Sequence, residues 1–126
     1  MIVHLDTSVL IDALAGPRRS LSALERTIAR GHVPAVSTLV LYEWYRGPRT
    51  REELDAQEAL LPAEHAQEFG ASEALRAARL YAAVKRARGR DMDLAIAACA
   101  IEHGAALWTL NRDDFADIPD LRLFEP

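Results

Sequence analysis

The sequence predicts an α/β sandwich in which helices flank a mostly parallel central sheet. Short apolar stretches alternate with amphipathic helical segments along the chain, which is the pattern of buried parallel strands connected by helices. The 126 residues contain no internal repeat, no low-complexity stretch and no linker, so we expect a single domain over residues 1–126.

The N-terminal segment predicts a strand followed by a helix. Ile2–Leu5 is an apolar run of strand length. Thr7 or Ser8 can cap the helix that follows, because a hydroxyl oxygen accepts a hydrogen bond from the first free backbone N–H groups. The helical pattern covers Val9–Leu14 and ends before Gly16.

The next elements repeat this alternation. A second amphipathic helix is predicted over Leu21–Arg30, because Gly31 follows it as a stop signal. His32–Val36 reads as a second short strand. Ser37 then caps a helix over Thr38–Arg46, which ends at a Gly-Pro pair.

The second half of the chain is mainly helical and closes with strands. The pattern is helical over residues 51–88, with a break near Pro62 and a weaker one near Gly70. Asp91 or Asp93 opens a further helix that runs to residue 103. Two more apolar runs then have strand length: Ala105–Leu110 and Leu121–Phe124.

Composition indicates an ordinary soluble protein. Half of the residues are hydrophobic and 27% are charged, which excludes a disordered chain. The single cysteine, Cys99, excludes an internal disulfide, and no apolar run is long enough to span a membrane. We therefore expect a cytoplasmic protein with no membrane association. The net charge of −4 argues against nucleic-acid binding through bulk positive charge.

Polar side chains follow two of the predicted strands. Asp6 ends the first strand, and Asn111, Asp113 and Asp114 follow the strand Ala105–Leu110. Ligands of open parallel sheets bind beyond the carboxyl ends of the strands. Asp6 could instead serve as a helix cap, but the next two residues can do this equally well. Each acid of the second group could also be a solvated loop residue.

Two further acids lie in helical segments. Glu43 is the only acid in an otherwise apolar and aromatic helix, and its alternative role is a salt bridge to Arg46. Asp93 could be a helix cap, favoured by the helix dipole. An open sheet can gather such carboxylates into one cleft, where a divalent cation offsets their repulsion. Oxygen ligands indicate Mg²⁺ or Mn²⁺ rather than zinc.

Four segments follow one another along the chain: LDTSVLIDAL, STLVLYEWYRG, DLAIAACAIEHGAALWTLNRDDF and IPDLRLFEP. Together and in this order they resemble PIN-domain ribonucleases, and most closely the VapC-like toxins of type II toxin–antitoxin systems. The resemblance implies a PIN-like three-layer sandwich and a Mg²⁺-dependent endoribonuclease that leaves a 5′-phosphate and a 3′-hydroxyl. It also implies a cognate antitoxin protein, an RNA substrate and a homodimer.

The resemblance also assigns roles to individual residues. It implies that four carboxylates are catalytic and bind the metal: Asp6, Glu43, Asp93 and Asp114. Ser8 and Asn111 match positions that support the metal site through water. The doubled acids at 113–114 leave open which of them, or Asn111, is the fourth ligand.

Basic residues suggest where RNA would bind. Arg46 lies one helical turn from Glu43. Spacings of three, seven and four residues predict that Arg76, Arg79, Arg86 and Arg90 share one helical face. An ordinary solvated helix face explains this pattern equally well.

Other small α/β classes with acidic Mg²⁺ pockets fit less well. A receiver-like signalling domain needs a lysine near a late strand, and the only lysine, Lys85, lies in a helical segment. A haloacid-dehalogenase-type phosphatase needs a second aspartate where Ser8 stands. A non-toxin RNA-processing nuclease and a PIN fold that binds without cleaving remain alternatives.

Overall fold

The computed structural model describes all residues 1–126, which form three strands and six α-helices. In chain order the elements are β1 (Ile2–Leu5), α1 (Thr7–Leu14), α2 (Leu21–Ala29), β2 (Val33–Ala35), α3 (Thr38–Arg46), α4 (Arg51–Leu60), α5 (Ala71–Ala83), α6 (Asp91–Glu102) and β3 (Ala106–Trp108). Short 3₁₀ turns lie at Ala63–His65 and Arg112–Asp114. The predicted α/β class is confirmed.

The sheet is parallel throughout and has the order β2-β1-β3. β1 lies in the centre, where His4 pairs with Ala35 on one side and Leu107 on the other. A central strand covered on both faces must be apolar along its whole length, which explains the uninterrupted run at the N-terminus. The predicted strand Leu121–Phe124 is wrong: only Leu123 bridges to Leu107, through single hydrogen bonds on either side.

The core is one cluster of 26 buried residues, and α6 contributes most to it. This helix packs against α5, α3 and β3. It is buried on nearly all sides because its residues are apolar around the whole circumference, and mostly small: Leu94, Ile96, Ala97, Ala98, Cys99 and Ala100. Cys99 is therefore a core residue, as predicted. None of the six helices combines the length and the apolar character needed to cross a membrane.

Two helix starts differ from the prediction. Asp6 itself occupies the N-cap position of α1, yet its carboxylate caps nothing, because it is engaged by hydroxyl groups instead. Arg90 occupies the N-cap position of α6, so Asp91 and Asp93 lie within the first turn rather than at the cap. Carboxylates in a first turn are stabilised by the helix dipole without being caps.

The long helical segment is divided as predicted near Pro62 and Gly70, but it ends earlier. α5 stops at Ala83, and a turn follows in which Arg86 and Gly89 have positive φ angles of 56° and 84°. The chain reverses there and enters α6. The prediction that Arg76, Arg79, Arg86 and Arg90 share one helical face is therefore wrong.

A pair of histidines links the central strand to the end of α6. His4 is buried, as predicted, and its Nε2 lies 2.7 Å from Nδ1 of His103, the residue that follows α6. Burial, reinforced by the charge of His103, lowers the pKa of His4 to about 4. The sequence pattern did not indicate this contact.

Candidate active site

Asp6 is held at the carboxyl end of β1 by hydroxyl groups. Its side chain is buried, and its Oδ2 accepts hydrogen bonds from Ser8 Oγ at 2.9 Å and Thr109 Oγ1 at 2.7 Å. The Asp6 backbone N–H donates to the Trp108 carbonyl at 2.9 Å, which extends the pairing of β1 with β3. All hydrogen bonds to the carboxylate use Oδ2, so Oδ1 is left for another ligand.

The same hydroxyls organise the loop that follows β3. Ser8 Oγ accepts from the Leu110 backbone N–H at 3.1 Å, and Thr109 Oγ1 accepts from the Asn111 N–H at 3.0 Å. Sequence reasoning missed Thr109. Its signal is a polar residue at the carboxyl end of a buried strand, in the run ALWTL. The Asn111 side chain is exposed and makes no hydrogen bond within the protein.

Glu43 reaches the same region from α3, which packs against α1. Its Oε1 accepts a hydrogen bond from Thr7 Oγ1 at 2.5 Å, and its Oε2 lies 3.5 Å from Arg46 Nη2. The alternative role considered for Glu43, an ion pair with Arg46, is therefore present. The Glu43 side chain is 19% exposed and the Arg46 side chain is 57% exposed. Solvent therefore weakens this ion pair.

Three other carboxylates act on Asp93. Its pKa is raised to about 6, first by burial and then by the negative charges of Asp6, Asp114 and Glu43. Neither Asp91 nor Asp113 is among the charges that raise it. Asp6, Glu43 and Asp114 thus lie close enough to Asp93 for their charges to act on it.

Arg90 joins the two segments that carry Asp93 and Asp114. Its guanidinium forms two hydrogen bonds with the Asp117 carboxylate, at 2.6 and 2.9 Å, and donates to the Asp114 carbonyl at 2.9 Å. It also donates to the Lys85 carbonyl at 3.2 Å. These contacts are structural: they hold the start of α6 against the 3₁₀ turn Arg112–Asp114.

The remaining arginines of the predicted RNA face are dispersed. Arg76 pairs with Glu102 at 3.4 Å and Asp120 at 3.7 Å. Arg79 is exposed on α5, and Arg86 lies in the turn beyond it. Of the predicted RNA-binding arginines, only Arg46 forms an ion pair with one of the four carboxylates, Glu43.

The oxygen atoms of these four carboxylates can be compared with the ligands that a metal ion requires. Four carboxylates supply only oxygen ligands, and their mutual repulsion, seen in the raised pKa of Asp93, is what a divalent cation would relieve. As they stand, no three histidine, cysteine, aspartate or glutamate side chains are close enough together to hold an ion. The set fits Mg²⁺ or Mn²⁺ in charge and ligand type, and coordination would require the side chains to converge further.

Comparisons with known proteins match the fold over nearly the whole chain. A family model described as the PIN domain matches residues 3–121. Among solved structures, VapBC2 from Rickettsia felis bound to a promoter DNA fragment is similar with a TM-score of 0.75 and 24% identity, covering 98% of each chain. A toxin–antitoxin complex from Klebsiella pneumoniae has a TM-score of 0.71 and 28% identity over 98% of this chain and 99% of that one. VapBC-5 from Mycobacterium tuberculosis has a TM-score of 0.66 and 23% identity, covering 99% of this chain and 98% of that one. No curated protein matched by sequence.

Proposed function

Because the chain belongs to the PIN domain family, whose members are nucleases, we propose that it is a Mg²⁺-dependent endoribonuclease hydrolysing RNA phosphodiester bonds. The observation that carries this proposal is that the charges of Asp6, Asp114 and Glu43 all act on half-buried Asp93, beside the hydroxyl-oriented carboxylate of Asp6. Carboxylates concentrated beyond the strand ends of a parallel sheet are costly to fold, and metal binding is a function that offsets this cost.

In this proposal Asp6, Glu43, Asp93 and Asp114 hold the cation, with Ser8 and Asn111 near its bound waters. Bound Mg²⁺ or Mn²⁺ would supply Lewis-acid charge and a water of lowered pKa. Asp6 is ready for this role because its Oδ2 is oriented by two hydroxyls. Asp114 is favoured over Asp113 as the fourth ligand, because only its charge acts on Asp93.

Exposed cations beside the site support an RNA substrate despite the net negative charge. Lys85, Arg86 and Arg88 lie in the turn between α5 and α6, and none of them forms an ion pair within the protein. Arg90 ties this turn to the segments carrying Asp93 and Asp114. Unpaired cations in the turn that leads into α6 can bind the phosphate backbone. An RNA substrate and a single buried cysteine both suit the cytoplasm.

The toxin role and the antitoxin partner rest on the solved relatives. The complex from Klebsiella pneumoniae, 28% identical to this chain, supports a protein that acts with a cognate antitoxin. An apolar groove of about 580 Å³ lies where α3, α5 and α6 meet, and Met92 in its wall adjoins Asp93. An antitoxin segment with an apolar face and one basic side chain would fill this groove and reach the acids. We also propose that the chain forms a homodimer.

The experiment that tests the proposed function is cleavage of a panel of RNAs by the purified chain with Mg²⁺, Mn²⁺ or EDTA. We expect cleavage to require metal and to fall at least 100-fold in Asp6→Asn and Asp93→Asn, because each removes a ligand charge. Asp114→Asn should be similarly impaired. Asp91→Asn and Asp113→Asn are the matched controls and should retain activity.

Metal-independent cleavage, or equal loss in the control variants, would contradict the four-carboxylate site. If the protein binds RNA without cutting it under any of these conditions, the alternative of a non-cleaving PIN module replaces the endoribonuclease. If it cleaves but no antitoxin binds it, a non-toxin RNA-processing role is favoured.

A further inference from the structure

The start of α1 has no side-chain cap, although its first two residues both carry a hydroxyl group. The carboxylate of Asp6, at the N-cap position, accepts no hydrogen bond from the helix backbone. Thr7 Oγ1 donates to Glu43 Oε1 at 2.5 Å, and Ser8 Oγ donates to Asp6 Oδ2 at 2.9 Å. A side-chain cap would stabilise the helix start. Both hydroxyls are therefore used on carboxylates at the expense of the helix.

The hydrogen bond between Thr7 and Glu43 fixes one oxygen of this carboxylate. Thr7 is the first residue of α1, and Glu43 lies in the middle of α3. Hydrogen bonds from a hydroxyl to an ionised carboxylate are short and roughly twice as strong as those between neutral groups. The Glu43 side chain is only 19% exposed, so little water competes for the bond. Oε1 is consequently held towards α1.

The other oxygen of Glu43 faces a positive charge. Glu43 Oε2 lies 3.5 Å from Arg46 Nη2, and Arg46 has no other ion pair. Its side chain is 57% exposed and can turn into water at little cost, because exposed ion pairs contribute little to stability. A divalent cation at Oε2 would therefore meet a second cation that contacts the same oxygen.

We propose that Thr7 is a positioning residue, which fixes Glu43 Oε1 so that only Oε2 is offered to a divalent cation. Arg46 then competes with the cation for Oε2. This inference rests on the proposed metal-dependent function and deepens it. Ser8 acts on Asp6 in the same way, because it engages Oδ2 and leaves Oδ1 without a hydrogen bond. Two successive residues of α1 thus each orient one ligand of the site.

The alternative is that the Thr7 bond merely ties α1 to α3. The buried side chains of both helices belong to the same core cluster, so apolar packing already holds the helices together. The oxygen that Thr7 engages belongs to a carboxylate whose charge acts on Asp93. Partners that orient a ligating carboxylate change metal affinity as well as stability. Metal affinity therefore distinguishes the two roles.

The test is calorimetric titration of the purified chain with Mn²⁺ in the absence of RNA. Thr7→Val should weaken Mn²⁺ binding about tenfold or more, because the ligand loses its orienting partner. Thr7→Ser keeps the hydroxyl and should bind within about threefold of the wild type. Arg46→Gln should strengthen binding about threefold or more, because it removes the competing charge. A gain in affinity cannot be produced by partial unfolding.

Two matched variants and one double variant serve as controls. Thr27→Val removes a hydroxyl that bonds a carbonyl within α2, and Arg51→Gln removes a cation from an exposed pair on α4. Both should keep the wild-type Mn²⁺ affinity. Thr7→Val combined with Glu43→Gln should bind no more weakly than Glu43→Gln alone, because Thr7 acts through Glu43.

Unchanged Mn²⁺ affinity in Thr7→Val with a lower stability to urea makes the bond a structural tie and overturns the inference. Additive losses in the double variant, or unchanged or weaker binding in Arg46→Gln, also contradict it. If such a result accompanies metal-dependent RNA cleavage by the wild type, the proposed function stands. Mn²⁺ binding that depends on Thr7 without RNA cleavage does the reverse. A wild-type chain that binds no Mn²⁺ overturns both.

Discussion

At the scale of single residues, Asp6 owes its orientation to two hydroxyls, one from its immediate neighbourhood in the chain and one from a distant segment. Ser8 lies in the first turn of α1, while Thr109 follows β3. Thr109 is buried and satisfies both the Asp6 carboxylate and the Asn111 N–H. Such a residue contributes to stability and to ligand geometry at once, because an orphaned buried donor or acceptor is costly.

Thr109→Val should therefore damage both properties. The loss of two buried hydrogen bonds is expected to lower the free energy of unfolding by about 1–3 kcal/mol. Removal of the group that orients a metal ligand is expected to reduce metal-dependent cleavage about 10- to 100-fold. Urea unfolding and initial rates at saturating Mg²⁺ measure the two effects. Thr109→Ser keeps the hydroxyl and should retain most of the activity; full activity in the valine variant would contradict this role.

At the scale of elements, Arg90 attaches the start of α6 to the 3₁₀ turn that carries Asp114. The bidentate contact with Asp117 lowers the pKa of that carboxyl, chiefly through the hydrogen bonds. Because the contact is exposed, it adds little to global stability. Its consequence is positional, since it sets the separation between the elements bearing Asp93 and Asp114.

Arg90→Gln and Asp117→Asn should each reduce cleavage several-fold, with the fold retained. The double variant should be no worse than either single one, because both remove the same contact. Hydrogen exchange of the Asp114 and Phe115 amides, which bond to carbonyls within the turn, should quicken in all three variants. Arg51→Gln breaks an exposed pair on α4 and should alter neither measurement. Additive losses of activity in the double variant would show that Arg90 and Asp117 do not act through their common contact.

The elements also show what the sequence could and could not provide. β1, the Ser37 cap of α3 and the breaks near Pro62 and Gly70 follow from local signals, and all are present. Local signals failed where a distant partner decides the outcome. Arg90 was assigned to an RNA face because helical periodicity continues beyond Ala83, whereas its contacts with Asp114 and Asp117 are tertiary. The contact between Thr109 and Asp6 is invisible to periodicity for the same reason.

At the scale of the whole molecule, the buried histidine pair makes stability depend on pH. His4 has a pKa of about 4 in the fold, against 6.5 for an ordinary histidine, so the unfolded chain binds more protons between these values. Stability is complete above pH 6.5 and declines as the pH falls towards 4, by no more than about 3 kcal/mol.

Urea unfolding at a series of pH values should show this decline for the wild-type chain. His4→Gln should have a lower stability at pH 7 and a flatter profile over the same range. His65→Gln, which removes a histidine with 73% of its side chain exposed, should keep the wild-type profile. An identical pH slope in wild type and His4→Gln would show that other groups cause the decline.

The position of β1 between β2 and β3 has a consequence for synthesis. Asp6 is translated before the strand and the threonine that fix it, and 103 positions separate it from Thr109. Pairing of such remote segments is slow and cannot precede their translation. A nascent chain therefore cannot fix Asp6 in its folded orientation until β3 and Thr109 have been translated.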